Sequence, residues 1–448
     1  MTHAAIIIPG AMGSVLKLNQ EVIWPGSAQE LFLPYKKMAK LMLPNLDATD
    51  VIRSVSISEQ YQKLIDDLAI CGFREDDNPQ TLYVCPYDWR KDNAMAATKL
   101  ADLIDKAVMQ NGVTEISLIA HSMGGLISRY YLESGDFNAR SGFPAIRLLI
   151  TLGTPHRGAP LAFSAAMGNE KRVFLNADQV LQLANDPQYP ALYQLLPPPD
   201  EPFAWNTEQT AKLAAFDIYD PVMAGALGLR AENLASAKAF QAKLDLNKRP
   251  KVQGKPMRYF FFVGTRQKTI SSVAVLKIGE AQYQVNKTQL EEAGDGTVPA
   301  WSACMPGIQC QPVGGEHSTL YRNDMLRRTM AALLGAKGVL AAATKVEVAL
   351  RERVVHADDT VHVALTLGAG ADRVDGQLAL EIVQLGADGT PAITRPVWSH
   401  RISYSGLSAE KLNVIFSAPG FPGIYRVSYV PDGYHDPAGM DELIVQQD

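Results

Sequence analysis

Three short stretches of this chain hold residues whose types and order suit nucleophilic chemistry. Ser122 lies in Ala120-His121-Ser122-Met123-Gly124, between the apolar run Ile116-Ser117-Leu118-Ile119-Ala120 and the glycine-led run Gly124-Gly125-Leu126-Ile127-Ser128-Arg129-Tyr130-Tyr131. The first run reads as a buried strand and the second as a helix, so the serine stands on a strand-to-helix turn. Such a turn exposes the hydroxyl above a parallel sheet, and small residues two before and two after it let the strand and helix backbones approach closely. Ala120 occupies the first of those positions, where the general pattern has glycine; one methyl group is a small departure. Asp295 is held in the turn Gly294-Asp295-Gly296-Thr297-Val298-Pro299, and His317 follows Gly314-Gly315-Glu316 ahead of a helix with Leu320, Met325, Leu326 and Met330. In such a set the histidine takes the serine proton and returns it to the leaving group, while a buried aspartate holds the imidazole tautomer and stabilises its cation. Each residue alone has an ordinary explanation as a loop serine, a turn aspartate or a helix-capping neighbour. All three in the order serine, aspartate, histidine, each in a fitting context, favour the catalytic reading.

The same chemistry needs N–H groups for a developing oxyanion. One comes from the residue after the nucleophile, Met123, and another from a loop after an early strand. The strand Ala4-Ala5-Ile6-Ile7-Ile8 runs into Pro9-Gly10-Ala11-Met12-Gly13-Ser14, which assigns Ala11. A plain turn would show the same glycines, so this assignment depends on the elbow. No Gly-Lys-Ser/Thr follows, which argues against a phosphate loop. His156, in Gly153-Thr154-Pro155-His156-Arg157-Gly158 after the strand Ala145–Leu152, competes as the base, but the expected order places the base after the acid. Trp24, Asp88, Trp89, His121 and His156 are the candidates for substrate contact. For Asp88, Trp89 and Arg90 a structural role is at least as good a reading.

Composition narrows the class. Apolar residues make up 47% and charged residues 20% of the 448, with a net charge of −5, as in a soluble globular protein. Scattered bases outnumbered by carboxylates argue against nucleic acid. No apolar run reaches the roughly 18 residues of a membrane span. The amino terminus enters a strand without a basic, cleavable leader, so a cytoplasmic location is expected, with signal-independent export left open. Four cysteines make no disulfide framework. Cys71 and Cys85 read as buried thiols; Cys304 and Cys310 flank one loop close enough to pair, but free thiols are expected. The histidines at 356, 362, 400 and 435 lack metal-ligand spacing, and no metal or cofactor is implied.

These residues need a sheet to position them. Strands are expected at 4–8, 81–84, 116–120, 145–152 and 258–263, with helices at about 57–71 and 93–110 and after the elbow. Residues 19–50 read as an insertion rather than sheet. Within it Lys36-Lys37-Met38-Ala39-Lys40-Leu41-Met42-Leu43 suits either a lipid-facing surface or a helix packed on the core, and the core reading is favoured. Residues 161–250, helix-rich and broken by prolines, read as a cap over the sheet. Past about residue 338 short alternating runs separated by turns predict an all-β, immunoglobulin-like sandwich at 343–448, a binding or stabilising module.

The set Pro-Gly-Ala-Met-Gly-Ser at 9–14, Pro-Tyr-Asp-Trp-Arg at 86–90, Ala-His-Ser-Met-Gly-Gly at 120–125, Thr-Leu-Gly-Thr-Pro-His at 151–156 and Gly-Asp-Gly-Thr-Val-Pro at 294–299 resembles the lecithin:cholesterol acyltransferase and lysosomal phospholipase A2 group of α/β-hydrolases. The resemblance runs over about residues 5–335. It implies an α/β-hydrolase domain at 1–338 with lid or cap insertions at about 19–50 and 161–250. By it Ser122, Asp295 and His317 take the triad roles, Ala11 and Met123 the oxyanion roles, and Trp24 with the 19–50 region the membrane-facing position. Ala11 stands where phospholipase-type relatives carry an acidic residue, and an amino-terminal cysteine pair found in extracellular members is absent. The expected activity is hydrolysis of acyl-lipid esters, phospholipase A in type, with acyl transfer to an alcohol as a variant. The expected partners are a phospholipid or other acyl lipid, a membrane surface touched peripherally, and a protein held by the C-terminal sandwich. A carboxylesterase for small esters and a silent lipid- or partner-binding protein are the alternatives; an intact triad speaks against the second.

Overall fold

The computed structural model describes residues 2–26, 35–55, 58–206, 214–279, 282–336, 346–385, 391–432 and 437–446. Residues 31–34, Lys337 and Gly338, the turn at 387–389 and His435 lie outside them.

Six parallel strands build the main sheet: β1 (His3–Ile8), β2 (Leu82–Val84), β3 (Glu115–His121), β4 (Ile146–Leu152), β5 (Arg258–Thr265) and β6 (Gln309–Gly314). Their order is β6-β5-β4-β3-β1-β2. The strands are near-continuous in apolar residues because helices cover both faces. Alternate side chains split accordingly. Ala5, Ile7, Ile119, Ile150 and Phe262 pack under α1 (Tyr61–Ile70) and the C-terminal helix Asp324–Leu333. Ile6, Ile8, Leu118, Leu149 and Phe261 pack under α2 (Asn93–Asn111) and α3 (Met123–Glu133). Asp92 caps α2 through Ala94 N, and Gly112 ends it in the left-handed region. The chain changes direction across the sheet between β1 and β3. At such a switch point the loops after neighbouring strands part and leave a crevice beyond their carboxyl ends. The fold is the α/β class expected.

The insertions differ in detail from expectation. Ser14–Leu18 pairs with both Glu21–Trp24 and Asp47–Val51, so part of 19–50 is a small antiparallel sheet. The lysine-rich stretch holds a single helical turn, Met38–Leu41, with Met38 and Leu41 buried. Lys40 pairs with Glu21, and Lys37 donates to Val22 O, so the apolar side faces the core. The helices of the 161–250 region enclose a cluster of Leu161, Phe163, Tyr193, Leu196 and Leu234. That cluster extends into Ile270, Val273 and Val275 of a long hairpin, Gln267–Gly279 with Gln282–Gly294, not anticipated from the sequence. Cys304 and Cys310 are disulfide-bonded, contrary to the expected free thiols; their Cα atoms lie 6.0 Å apart across a turn, within disulfide reach.

From Val346 onward the chain forms a second, all-β unit. Two long strands, Thr360–Leu385 and Pro391–Ser417, pair along their length, and Gly423–Pro431 and Gly439–Gln446 continue the sheet. Val346–Leu350 pairs with the start of the first long strand, yet Leu350 N donates to Asp441 Oδ2 at 2.9 Å. The sheet therefore folds over on itself around Val348, Leu365, Leu380, Val427 and Leu443. Ile444 and Val354 join the core of the main sheet instead.

Asp67 on α1 and Arg327 on the C-terminal helix form a buried bidentate pair, both contacts 2.6 Å. Losing one member of such a pair strands the other's charge out of water. Arg327→Leu is expected to cost about 3–5 kcal/mol in denaturant unfolding; a loss near zero would show that the pair carries no stability.

Candidate active site

The carboxyl edge of the main sheet gathers the expected residues. Ile8 pairs with Ala120 and His121 with Leu152, while Thr265 pairs with Gly314, so the loops after these strands open side by side. Ser122 sits on the turn between β3 and α3 with φ 53 and ψ −124. A non-glycine residue there is strained, and its surroundings must over-determine it. They do so through Ser122 N to Leu152 O at 2.9 Å, and through Thr154 Oγ1 and Gly125 N, which donate to Ser122 O at 2.8 and 3.0 Å. Side chains are excluded nearby: a Cβ on Gly124 would lie 2.5 Å from Ile8 O, and one on Gly125 2.1 Å from Thr154 Oγ1.

His317 bridges the other two residues. Its Nε2 lies 2.8 Å from Ser122 Oγ and its Nδ1 2.8 Å from Asp295 Oδ2. Asp295 is fully buried, and its Oδ1 accepts from Val298 N at 2.7 Å and Thr297 N at 3.1 Å. The two residues are joined along the backbone as well, His317 N donating to Asp295 O at 2.9 Å. Gly153 and Gly264 make room for the pair: a Cβ on the first would lie 2.8 Å from Asp295 Oδ2, on the second 2.4 Å from Asp295 Cβ. The relay can carry a proton from Oγ to Nε2 while Nδ1–H stays on the carboxylate.

Ala11 is the exposed tip of the 9–13 loop, and Met123 is the first, buried residue of α3. Residues on every side hold that loop. Tyr87 Oη donates to Pro9 O, Gly10 N to Tyr61 Oη, and Trp24 Nε1 to Met12 O, at 2.8, 2.8 and 2.9 Å. A Cβ on Gly10 would lie 2.9 Å from Ser122 Cβ, so the loop and the elbow touch.

The five residues expected to meet substrate all have partners within the protein. Trp24 is fully buried against Tyr35, Trp89 and Phe174 and acts on the loop through Met12. Trp89 is buried beside it. Asp88 clasps Arg90 with contacts of 2.8 and 2.6 Å, while Arg90 reaches Leu41 O and Leu43 O and lies over the Tyr189 ring, pinning both insertions. His121 is buried, with Nε2 2.9 Å from His317 O and Nδ1 2.7 Å from Tyr61 Oη. A carbonyl only accepts, so Nε2 carries the proton and Tyr61 donates to Nδ1. Burial and the neighbouring His317 push its pKa down to about 3, keeping it neutral. His156 stacks on Phe261 with ring centroids 3.8 Å apart and bonds Thr151 Oγ1 through Nε2. Its ring is spent away from the serine.

Tyr61, Tyr87, Thr154 and Glu316 were not singled out from the sequence. Tyr87 and Thr154 lie inside motifs that were; nothing local marks Tyr61. Glu316 lies against the Asp295 turn, with Oε2 3.1 Å from where a Gly296 Cβ would stand. Burial, with Asp295 adding to it, raises its pKa to about 8.

Sheet order, elbow and the three aligned side chains define an α/β-hydrolase. The family model for lecithin:cholesterol acyltransferase matches residues 44–217, a stretch that includes Ser122 and ends before Asp295 and His317. The chain thus resembles that family, over a shorter span than the motifs suggested. A comparison with curated proteins finds no match. Similar solved structures include the lin2722 product of Listeria innocua, 12% identical over 76% of this chain and 97% of that one, with a TM-score of 0.32. Another comes from work on carboxylesterases of Nitrososphaera gargenis, 11% identical over 75% and 90%, TM-score 0.31. The RedJ thioesterase of Streptomyces coelicolor is 13% identical over 74% and 84%, TM-score 0.29. Likenesses this loose do not bear on activity.

Two outcomes test the site's wiring. Tyr61→Phe strands Gly10 N–H and His121 Nδ1, and is expected to lower stability by about 1–3 kcal/mol for each group left unpaired. An unchanged unfolding midpoint would contradict the network. The Glu316 carboxyl has a folded value near 8 against an ordinary 4.5, so the folded state keeps a proton that the unfolded chain releases in between. Stability from this group is therefore lost as pH rises through that window. The gain in Tm from Glu316→Gln should be larger at about pH 8 than at about pH 5; an equal gain would refute the assignment.

Proposed function

We propose that this protein is a serine ester hydrolase acting on acyl-lipid esters, phospholipase A in type, through an acyl-Ser122 intermediate. The observation that carries the reading is the continuous relay from Ser122 Oγ through His317 to buried Asp295, both hydrogen bonds 2.8 Å. His317 Nε2 takes the hydroxyl proton as Oγ bonds to the ester carbonyl carbon, and Asp295 stabilises the imidazolium. The carbonyl oxygen becomes an oxyanion, facing the N–H groups of Ala11 and Met123. As the tetrahedral species collapses, His317 gives its proton to the departing alkoxide and leaves the acyl group on Ser122. Water then repeats the sequence with His317 as base, releasing the fatty acid; an alcohol in that place gives a new ester. The lipid substrate is supported by the resemblance to lecithin:cholesterol acyltransferase. It is tested by mass spectrometry of products from mixed phospholipid vesicles: a lysophospholipid and a free or transferred acyl chain are expected. Turnover confined to small soluble esters would replace the lipid reading with that of a carboxylesterase.

Ser122→Ala should abolish both turnover and labelling by a fluorophosphonate while the protein stays folded. His317→Ala should lower kcat by roughly 10⁴-fold or more, since triad members act as a unit. His156→Ala should leave kcat within about tenfold, its ring being engaged elsewhere. The reverse ranking of the two histidines would overturn the assignment of the base.

A further inference from the structure

The C-terminal sheet reaches the parts that carry Asp295 and His317. The point of contact is the turn Gly264-Thr265-Arg266-Gln267, where β5 ends and the long hairpin begins. Gly264 packs on Asp295, since a Cβ there would lie 2.4 Å from Asp295 Cβ. Gln267 pairs with Gly294, the residue before the acid. Thr265 O accepts from Gly315 N at 3.4 Å, and the Arg266 side chain lies 3.1 Å from where a Gly314 Cβ would stand. Both chain segments that deliver the acid and the base therefore lean on this one turn. Arg266 holds φ 69, a left-handed conformation that costs free energy for a non-glycine residue and needs external support.

That support comes from the strand Pro391–Ser417. Lys411 Nζ donates to Arg266 O at 2.9 Å and to Gln267 Oε1 at 2.7 Å. Glu410, its neighbour, forms an ion pair with Arg266 Nη1. Lys411 is itself registered against Thr366 in the C-terminal sheet, so the clamp is anchored in a packed element rather than a loose side chain. The Lys411 charge also favours the ionised form of Glu316, which borders the Asp295 turn, against the burial that raises its pKa.

We propose that Lys411, with Glu410, is a positioning residue for the Asp295–His317 pair, so that the C-terminal sheet is a working part of the active site and not only an appended module. The inference rests on the hydrolase reading. Lys411 touches no reacting atom; it fixes the turn against which the acid and the base are set. Small displacements of a base from its nucleophile cost rate steeply while leaving substrate affinity largely alone. The effect should therefore fall on kcat and not on KM.

The test uses the full chain. Reactive serines are titrated with a fluorophosphonate, kcat per titrated site and KM are measured on a short-chain nitrophenyl ester, and thermal unfolding is followed in parallel. Lys411→Met should lower kcat per reactive site by about tenfold with KM within about twofold, and Lys411→Arg, which keeps donors for Arg266 O, should recover most of the loss. Glu410→Gln, at a more exposed position, keeps the test open if Lys411→Met does not fold, and should lower kcat per site by a smaller factor. An unchanged kcat per site in Lys411→Met, or in Glu410→Gln where that stands in for it, overturns the proposal, whatever happens to Tm. A wild-type protein that neither labels at Ser122 nor turns over ester removes the hydrolase reading itself, an outcome distinct from normal labelling with an indifferent Lys411.

Discussion

The backbone of Ser122 is the constraint around which the site is arranged. Its φ of 53 places an L-residue where it is disfavoured, a cost of about 1–3 kcal/mol. The conformation persists because every neighbour closes off the alternatives. Leu152 O and Thr154 Oγ1 bond its two backbone groups from β4 and the loop that follows. Gly124 and Gly125 allow the helix to start within contact of Ile8 O and of Thr154, so the 9–13 loop and the elbow are drawn together by the same close approach. Had either glycine carried a side chain, helix and strand would separate and the hydroxyl would leave the reach of His317. The strain of one residue is thus distributed over β1, β3 and β4, whose strand ends the main sheet already holds in register.

Electrostatics impose a second condition on the same few ångströms. Asp295 is buried, and no lysine or arginine among the described residues forms an ion pair with it. Its charge is met by the N–H groups of Thr297 and Val298 and by His317 Nδ1. A second carboxylate beside it would compete for the imidazolium and raise the energy of the ionised aspartate. Glu316 is that second carboxyl, and burial keeps it largely protonated near neutral pH, with its pKa raised to about 8. The pair thus avoids two adjacent negative charges by leaving one of them neutral, while Lys411 supplies partial compensation from the C-terminal sheet.

Much of this could be read from the chain because local pattern and tertiary role coincide. Strands buried on both faces must be near-continuously apolar, so β1, β3, β4 and β5 announce themselves; the elbow needs small residues at fixed offsets, and Asp295 and His317 lie in glycine turns. The hairpin Gln267–Gly294 did not, because register shifts near Ile270/Ser272 and Lys277/Gly279 break its alternation, and much of its second strand is exposed. The small sheet within 14–51 was missed because its strands are four or five residues long and carry Lys17, Glu21, Asp47 and Asp50. Tyr61 and Lys411 were invisible for a different reason. Their work depends on partners distant in sequence, Gly10 and His121 for one and Arg266 for the other, and nothing adjacent to them encodes it. The Pro-Tyr-Asp-Trp-Arg motif was legible as unusual but left two roles open, since dense polar and aromatic groups serve a buried clasp as readily as a ligand; the clasp of Arg90 by Asp88 is the one the structure displays.

Three histidines near the sheet's carboxyl edge show how environment, and not residue type, sets one imidazole apart from the others. His156 has an apolar ring below it, a threonine hydroxyl on one nitrogen and the Arg129 guanidinium nearby, so burial first and that cation second hold its pKa well below the usual value. Accepting a proton there would create a buried cation without a counter-charge. His121 has both nitrogens engaged, and its Nε2–H is turned toward His317 O, so its neutral form is locked in one tautomer and serves as a brace between the 9–13 loop, through Tyr61, and the histidine loop. Only His317, among these three, places one nitrogen on a carboxylate and the other on the serine hydroxyl. Its side chain retains 14% exposure, beside a fully buried Asp295, which leaves the ring reachable from the crevice while its orienting partner stays dry. The lowered pKa values of His121 and His156 keep both imidazoles neutral, so neither sets a competing positive charge beside the Ser122–His317–Asp295 relay.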